Sequence, residues 1–126
     1  MFNFGERSLK NLQGVHHDLV MLMEESIKDS PYDFAITEGV RSPERQRELY
    51  AQGKSLTLMS RHLTGKAVDI MVYVDGKGTW ELKYYKVVTD HIKVKAKELD
   101  VEIICGIDWR SLVDGPHVEL SKNKYL

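Results

Sequence analysis

Over residues 8–30, Leu9, Leu12, Val15, Leu19, Met23 and Ile27 recur every three or four positions, the stripe of an amphipathic helix. Ser8 stands where a capping side chain is wanted. Ser30-Pro31 closes the segment, because proline disfavours helix at the residue before it. The spacing thus predicts one long helix over 8–30, followed by a short strand over 34–38. Ser42-Pro43-Glu44 then combines a cap, a proline at the first helical position and an acidic residue near the positive end of the dipole. It predicts a shorter helix reaching about Tyr50, with Gly53 just past its end.

From Ala67 to Val74 the pattern changes to alternation. Val68, Ile70, Val72 and Val74 share one face, and Ala67, Asp69, Met71 and Tyr73 the other, as in a strand. Asp75-Gly76-Lys77-Gly78 reads as a turn. Leu82, Tyr85, Val88, Ile92, Ala96 and Leu99 return to helical spacing and predict a second long helix. Strands over 101–105 and 117–120 flank a loop rich in glycine and aspartate. The elements add up to an α+β domain spanning 1–126: a small, largely antiparallel sheet with two long helices and one short helix packed on it.

Composition narrows the function. With 18 Lys and Arg against 19 Asp and Glu, the formal charge is −1, so nucleic acid held chiefly by charge is not expected. The one cysteine, Cys105, excludes an intrachain disulfide and lies in an apolar strand, where a buried, inert thiol is expected. No segment carries the apolar length for membrane insertion, and the first residues lack the pattern of a signal peptide.

Chemistry concentrates at two places. Ser60-Arg61-His62-Leu63-Thr64-Gly65-Lys66-Ala67-Val68-Asp69 sets a glycine-containing turn between a histidine and a strand aspartate aimed off the core. Asp114-Gly115-Pro116-His117-Val118-Glu119-Leu120 puts His117 and Glu119 on one strand face. His62, Asp69 and His117 would make an N,N,O site suited to Zn²⁺ with one position open. Spacing alone leaves this level with hydrogen bonding at a sheet edge. His-Glu-x-x-His is absent, so no helix-borne zinc site is expected. His16, His17 and His91 lie on or beside helices and read as surface or core-edge residues.

Ser60-x-His62-x-x-Gly65-x-Ala67-x-Asp69 with the later Asp114-to-Leu120 run resembles the zinc peptidases of peptidoglycan, a family of D-alanyl-D-alanine carboxypeptidases and L-alanyl-D-glutamate endopeptidases. The likeness extends upstream to Ser30-Pro31-Tyr32-Asp33-Phe34, to Glu38-Gly39-Val40-Arg41-Ser42, and to Gln46, Leu49-Tyr50 and Gly53. Downstream it takes in Gly106-Ile107-Asp108-Trp109. The chain looks most like single-domain bacteriophage endolysins.

The resemblance implies zinc held by His62, Asp69 and His117, with Asp114 as general base. It implies that Arg41 stabilises the negatively charged tetrahedral intermediate, and that Ser60, Asp108 and Trp109 line the cleft or orient ligands. Glu119 is a weaker second candidate for the base, a structural role at the sheet edge being expected instead. The implied substrate is the peptidoglycan stem peptide, cut between L-alanine and D-glutamate by a monomer. Such an enzyme would be made in the host cytoplasm and would reach the cell wall through a phage membrane pore. A D-alanyl-D-alanine carboxypeptidase is the alternative within this class. A non-catalytic zinc-stabilised binding module is the alternative outside it, opposed by the presence of Asp114 and Arg41 beside all three ligands.

Overall fold

The alternating segment forms the strand on which the rest is assembled. In the computed structural model, which describes residues 1–126, β1 (Asp33–Glu38), β2 (Ala67–Val74), β5 (His117–Leu120) and β4 (Ile103–Cys105) lie side by side in that order. β3 (Lys77–Thr79) pairs with the second half of β2. Every pairing is antiparallel. Val68, Ile70 and Val72 are fully buried on one face, as the alternation requires.

Two helices cover that face. Leu19, Leu22, Met23 and Ile27 of α2 (His17–Lys28) and Tyr85, Val88, Ile92 and Ala96 of α4 (Leu82–Glu98) join the strand residues in one core. Each large apolar side chain buried there contributes about 1.5–3 kcal/mol relative to exposure. Tyr85 also fastens α4 to the sheet: its hydroxyl accepts from the Val72 N–H (3.2 Å) and donates to the Thr79 carbonyl (2.9 Å). Cys105 is buried as expected, and burial pushes its thiol up to about 12, which leaves it protonated and unreactive near neutrality.

The predicted first helix is in fact two. α1 (Glu6–Asn11) stops early, Gly14 turns the chain at φ 82°, and α2 starts anew with His16 as its cap, Nδ1 accepting from the Asp18 N–H. Leu12, Val15 and Leu19 are buried on both sides of the break, so the apolar spacing runs through it without a trace. Ser8 is not a cap. It is buried within α1, where its hydroxyl accepts from the Ile36 N–H at 3.0 Å, while Leu9 is half exposed. The shorter helix α3 (Pro43–Ala51) begins as expected, with the Ser42 hydroxyl accepting from the Arg45 N–H.

A second difference is the β2–β3 hairpin. Asp75 and Gly76 both adopt positive φ (51° and 78°), the two-residue turn whose twist suits antiparallel strands. β3 has three residues, too few for alternation to register. At the other end of the sheet, the strand expected from Val101 begins at Ile103.

Gly39 follows β1 where the chain passes against α1. A Cβ there would lie 1.9 Å from the Asn11 carbonyl oxygen, a backbone atom that cannot rotate aside. Gly39→Ala should therefore destabilise the protein by at least about 2 kcal/mol, as overpacking against backbone does. Urea unfolding checks this, and an unchanged midpoint would contradict the packing described.

Candidate metal centre and cleft

Three local devices bring the predicted residues together. Ser60 caps a 3₁₀ turn, Arg61–Thr64, its hydroxyl accepting from the His62 N–H at 3.2 Å. Gly65 ends that turn in the left-handed region (φ 71°) and swings the chain into β2, with His62 folded back beside it. Asp69 on β2 and His117 on β5 are direct cross-strand partners. On the other side of Asp69, β1 is irregular between Ile36 and Glu38, which places Glu38 opposite Asp69.

The result is a buried cluster. His62 Nε2 lies 3.3 Å and His117 Nδ1 3.5 Å from Asp69 Oδ1, and one candidate ligand atom from each residue falls within 4.8 Å of the others. The outer atoms of all three are occupied. His62 Nδ1 meets the Gly39 carbonyl (2.9 Å), His117 Nε2 meets Glu119 Oε1 (2.8 Å), and Asp69 Oδ2 accepts from Arg41 Nη2 (3.4 Å). In the tautomers with protons on those outer nitrogens, His62 Nε2 and His117 Nδ1 turn lone pairs toward Asp69 Oδ1.

His62 Nε2 and Asp69 Oδ1 are buried with no hydrogen-bond partner. Inward lone pairs repel one another unless a cation sits among them, and two imidazoles with a carboxylate fit Zn²⁺ in ligand type and number. A proton can serve one of the two gaps. Burial opposes charging His117, but Asp69 and Glu119 outweigh it and raise its pKa to about 9. Burial would likewise raise Asp69, yet the two imidazoles hold its carboxyl well below the ordinary carboxylate range.

The cluster opens into a cleft of about 420 Å³ that Asp114, Ser60 and Trp109 also line. Asp114 is anchored by its backbone: its N–H donates to the Gly106 carbonyl and its own carbonyl accepts from the His117 N–H. Burial first, and the charge of Asp69 second, raise its pKa above the usual aspartate value. Trp109 tilts against His117, with ring centroids 4.9 Å apart.

Arg41 is buried rather than spread on the surface. It donates from Nε to Glu38 (2.7 Å), from Nη1 to Gln46 (2.8 Å) and from Nη2 to Asp69. Asp108 does not join the cleft; it pairs with Lys93 of α4 at 2.7 Å. His16 and exposed His17 stack at the start of α2, where their ligand atoms and that of Asp18 lie within 4.8 Å of one another, and His91 bonds the Ser26 carbonyl between α4 and α2.

Sequence reasoning underrated two residues. Glu119 is not at a sheet edge, because β5 lies between β2 and β4, and it faces the ring of His117. The signal was the His-x-Glu alternation. Gln46, fully buried, braces Arg41, and nothing in its local sequence announces that.

Comparison with known proteins places this geometry in a lineage. The family described as phage L-alanyl-D-glutamate peptidase matches residues 1–121. The L-alanyl-D-glutamate peptidase of Escherichia phage T5 is 33% identical over 134 residues, spanning 94% of this chain and 98% of that protein. The crystal structure of Serratia marcescens L-Ala D-Glu endopeptidase ChiX superposes with a TM-score of 0.92 at 40% identity, covering 98% of this chain and 93% of that one. The L,D-carboxypeptidase DacB of Streptococcus pneumonia, at 20% identity and a TM-score of 0.51 over 86% of this chain and 67% of that one, shares the fold. With a family match over nearly its whole length and a buried His-Asp-His cluster at the base of a cleft, the chain belongs to the phage L-alanyl-D-glutamate peptidases, a family of cell-wall hydrolases.

Proposed function

We propose that this protein is a zinc-dependent endolysin that hydrolyses peptidoglycan stem peptides between L-alanine and D-glutamate. The observation that carries the reading is the convergence of His62 Nε2, Asp69 Oδ1 and His117 Nδ1, with two of the three atoms buried and unpartnered. The family match supports the bond and the substrate class. No helix is long and apolar enough to cross a membrane.

His62, Asp69 and His117 would hold the ion. When bound, Zn²⁺ supplies a polarised scissile carbonyl and a water acidic enough to react near neutrality. Asp114 takes the proton of the attacking water and returns it to the leaving amine of D-glutamate. Its backbone anchors fix it three residues before His117, and the raised pKa keeps its carboxyl nearer the working range of a general base. Arg41, held rigid by Glu38 and Gln46, sets a fixed positive charge beside Asp69, where negative charge develops on the carbonyl oxygen. Ser60 shapes the turn that presents His62, and Trp109 provides an apolar wall against which the peptide lies.

Digesting purified peptidoglycan and identifying the new termini tests the reading. New L-alanine carboxyl and D-glutamate amino termini are expected. Release of D-alanine alone would instead make the protein a D-alanyl-D-alanine carboxypeptidase, and zinc-dependent binding without any new terminus would make it a binding module.

A further inference from the structure

We propose that Arg61 is a positioning residue for the metal centre, holding Glu119 against His117 and tying that contact to the last residues of the chain. The proposal rests on the zinc reading above.

Arg61 immediately precedes His62, and its side chain runs toward β5 and the C-terminus. Nη2 donates to two carbonyls, those of Leu120 (3.0 Å) and Tyr125 (2.9 Å). Its Nε is buried without a hydrogen-bond partner and lies 3.9 Å from Glu119 Oε2. The other oxygen of the same carboxylate meets His117 Nε2 at 2.8 Å. A continuous path therefore leads from the chain end through Arg61 and Glu119 to a metal-ligand candidate.

The physical need is plain. A carboxylate buried as Glu119 is requires a counter-charge, and Arg61 supplies it within 4.0 Å, while His117 meets the other carboxylate oxygen through Nε2. If His117 is to turn its Nδ1 lone pair to a cation, Glu119 has to keep the proton on Nε2, and Arg61 has to keep Glu119 in place. The two carbonyl bonds fix the guanidinium plane, so that Nε faces Glu119. The far end is itself fastened: the Tyr125 hydroxyl donates to Asp18 (2.8 Å), its ring stands edge-on to His16, and Lys66 bonds the Leu126 carbonyl. Residues beyond the last strand are thus part of the support of the site. Through the 3₁₀ turn Arg61–Thr64, one short segment presents His62 directly and steadies His117 at second hand.

The test is zinc affinity, read by competition with a chromophoric chelator on the full chain and paired with a thermal melt for each variant. Arg61→Met, which keeps the aliphatic stem, should weaken zinc binding about 10–100-fold, and Glu119→Gln by a similar factor. The double variant should bind within about threefold of the weaker single one, because both act through one contact. Arg61→Lys keeps a cation in the segment but loses the planar guanidinium whose Nε faces Glu119 while Nη2 holds the two carbonyls; it should weaken zinc binding less than Arg61→Met does. Should Arg61→Met not fold, Arg61→Gln takes its place in the same comparison.

A wild-type zinc affinity in a variant lacking the guanidinium, whatever its melting temperature, overturns the proposal. So do losses that multiply in the double variant. A wild-type chain that binds no zinc removes the metal reading itself, and the proposal falls with it, an outcome distinct from equal binding by wild type and variant.

Discussion

Asp114→Asn should fold, hold zinc as tightly as the wild-type chain, and hydrolyse stem peptides roughly 10²–10⁴-fold more slowly. The substitution keeps the shape of the side chain and both backbone anchors, the N–H on the Gly106 carbonyl and the carbonyl on the His117 N–H. It removes only the capacity to take up a proton. Asp114 is not one of the three residues whose ligand atoms converge, so metal content should not change. Steady-state rates on purified peptidoglycan, together with zinc analysis of the same sample, separate the outcomes. Full activity in Asp114→Asn would show that another group, Glu119 being the nearest in kind, accepts the proton. Loss of zinc along with activity would move Asp114 from proton transfer to ligand support.

Removal of the metal should have an effect at least as large. A strong chelator should abolish hydrolysis, and added Zn²⁺ should return it. The same treatment should lower the melting temperature, because the ion binds the folded chain and its ligands are scattered in the unfolded one. A ligand at one hundred times its dissociation constant contributes about 2.7 kcal/mol of stability. The cluster explains the size of the effect. Without a cation, His62 Nε2 and Asp69 Oδ1 face each other at 3.3 Å in a buried site, where only a proton can take the place of the ion. His62→Ala should therefore lose zinc and activity together while keeping the fold, at some cost in stability from the lost contact with the Gly39 carbonyl, since Ser60 and Gly65 still form the turn. Hydrolysis that survives exhaustive chelation would end the metal mechanism.

Much of the fold could be read from side-chain periodicity because its elements are two-sided. Val68, Ile70 and Val72 alternate with Asp69 because one face of β2 meets α2 and α4 while the other meets the site. Helix α4 shows its stripe for the same reason. Periodicity failed where the apolar spacing persists but the backbone does not. Gly14 breaks the first helix while Leu12, Val15 and Leu19 go on facing the core. It failed again at β3, whose three residues are defined by pairing with β2 and by the Asp75-Gly76 turn.

The amino-acid sequence by itself determined which chemical groups this protein offers and which face of each strand carries them: His62 before a glycine turn, Asp69 off the core, His117 and Glu119 two residues apart. Local spacing suffices there, because a strand places alternate residues on one side and a left-handed glycine reverses the chain. Tertiary structure alone decided what those groups do to one another. Asp69 meets His117 through strand pairing, Glu119 meets Nε2 of His117, Arg41 turns inward onto Gln46, and Asp108 turns outward to Lys93. The contacts to Asp69 and Lys93 join residues many positions apart in the chain, and even Arg41 with Gln46 and His117 with Glu119 take their direction from what packs around them. Such hydrogen bonds and ion pairs leave no period in the sequence, so only the packed chain can show them.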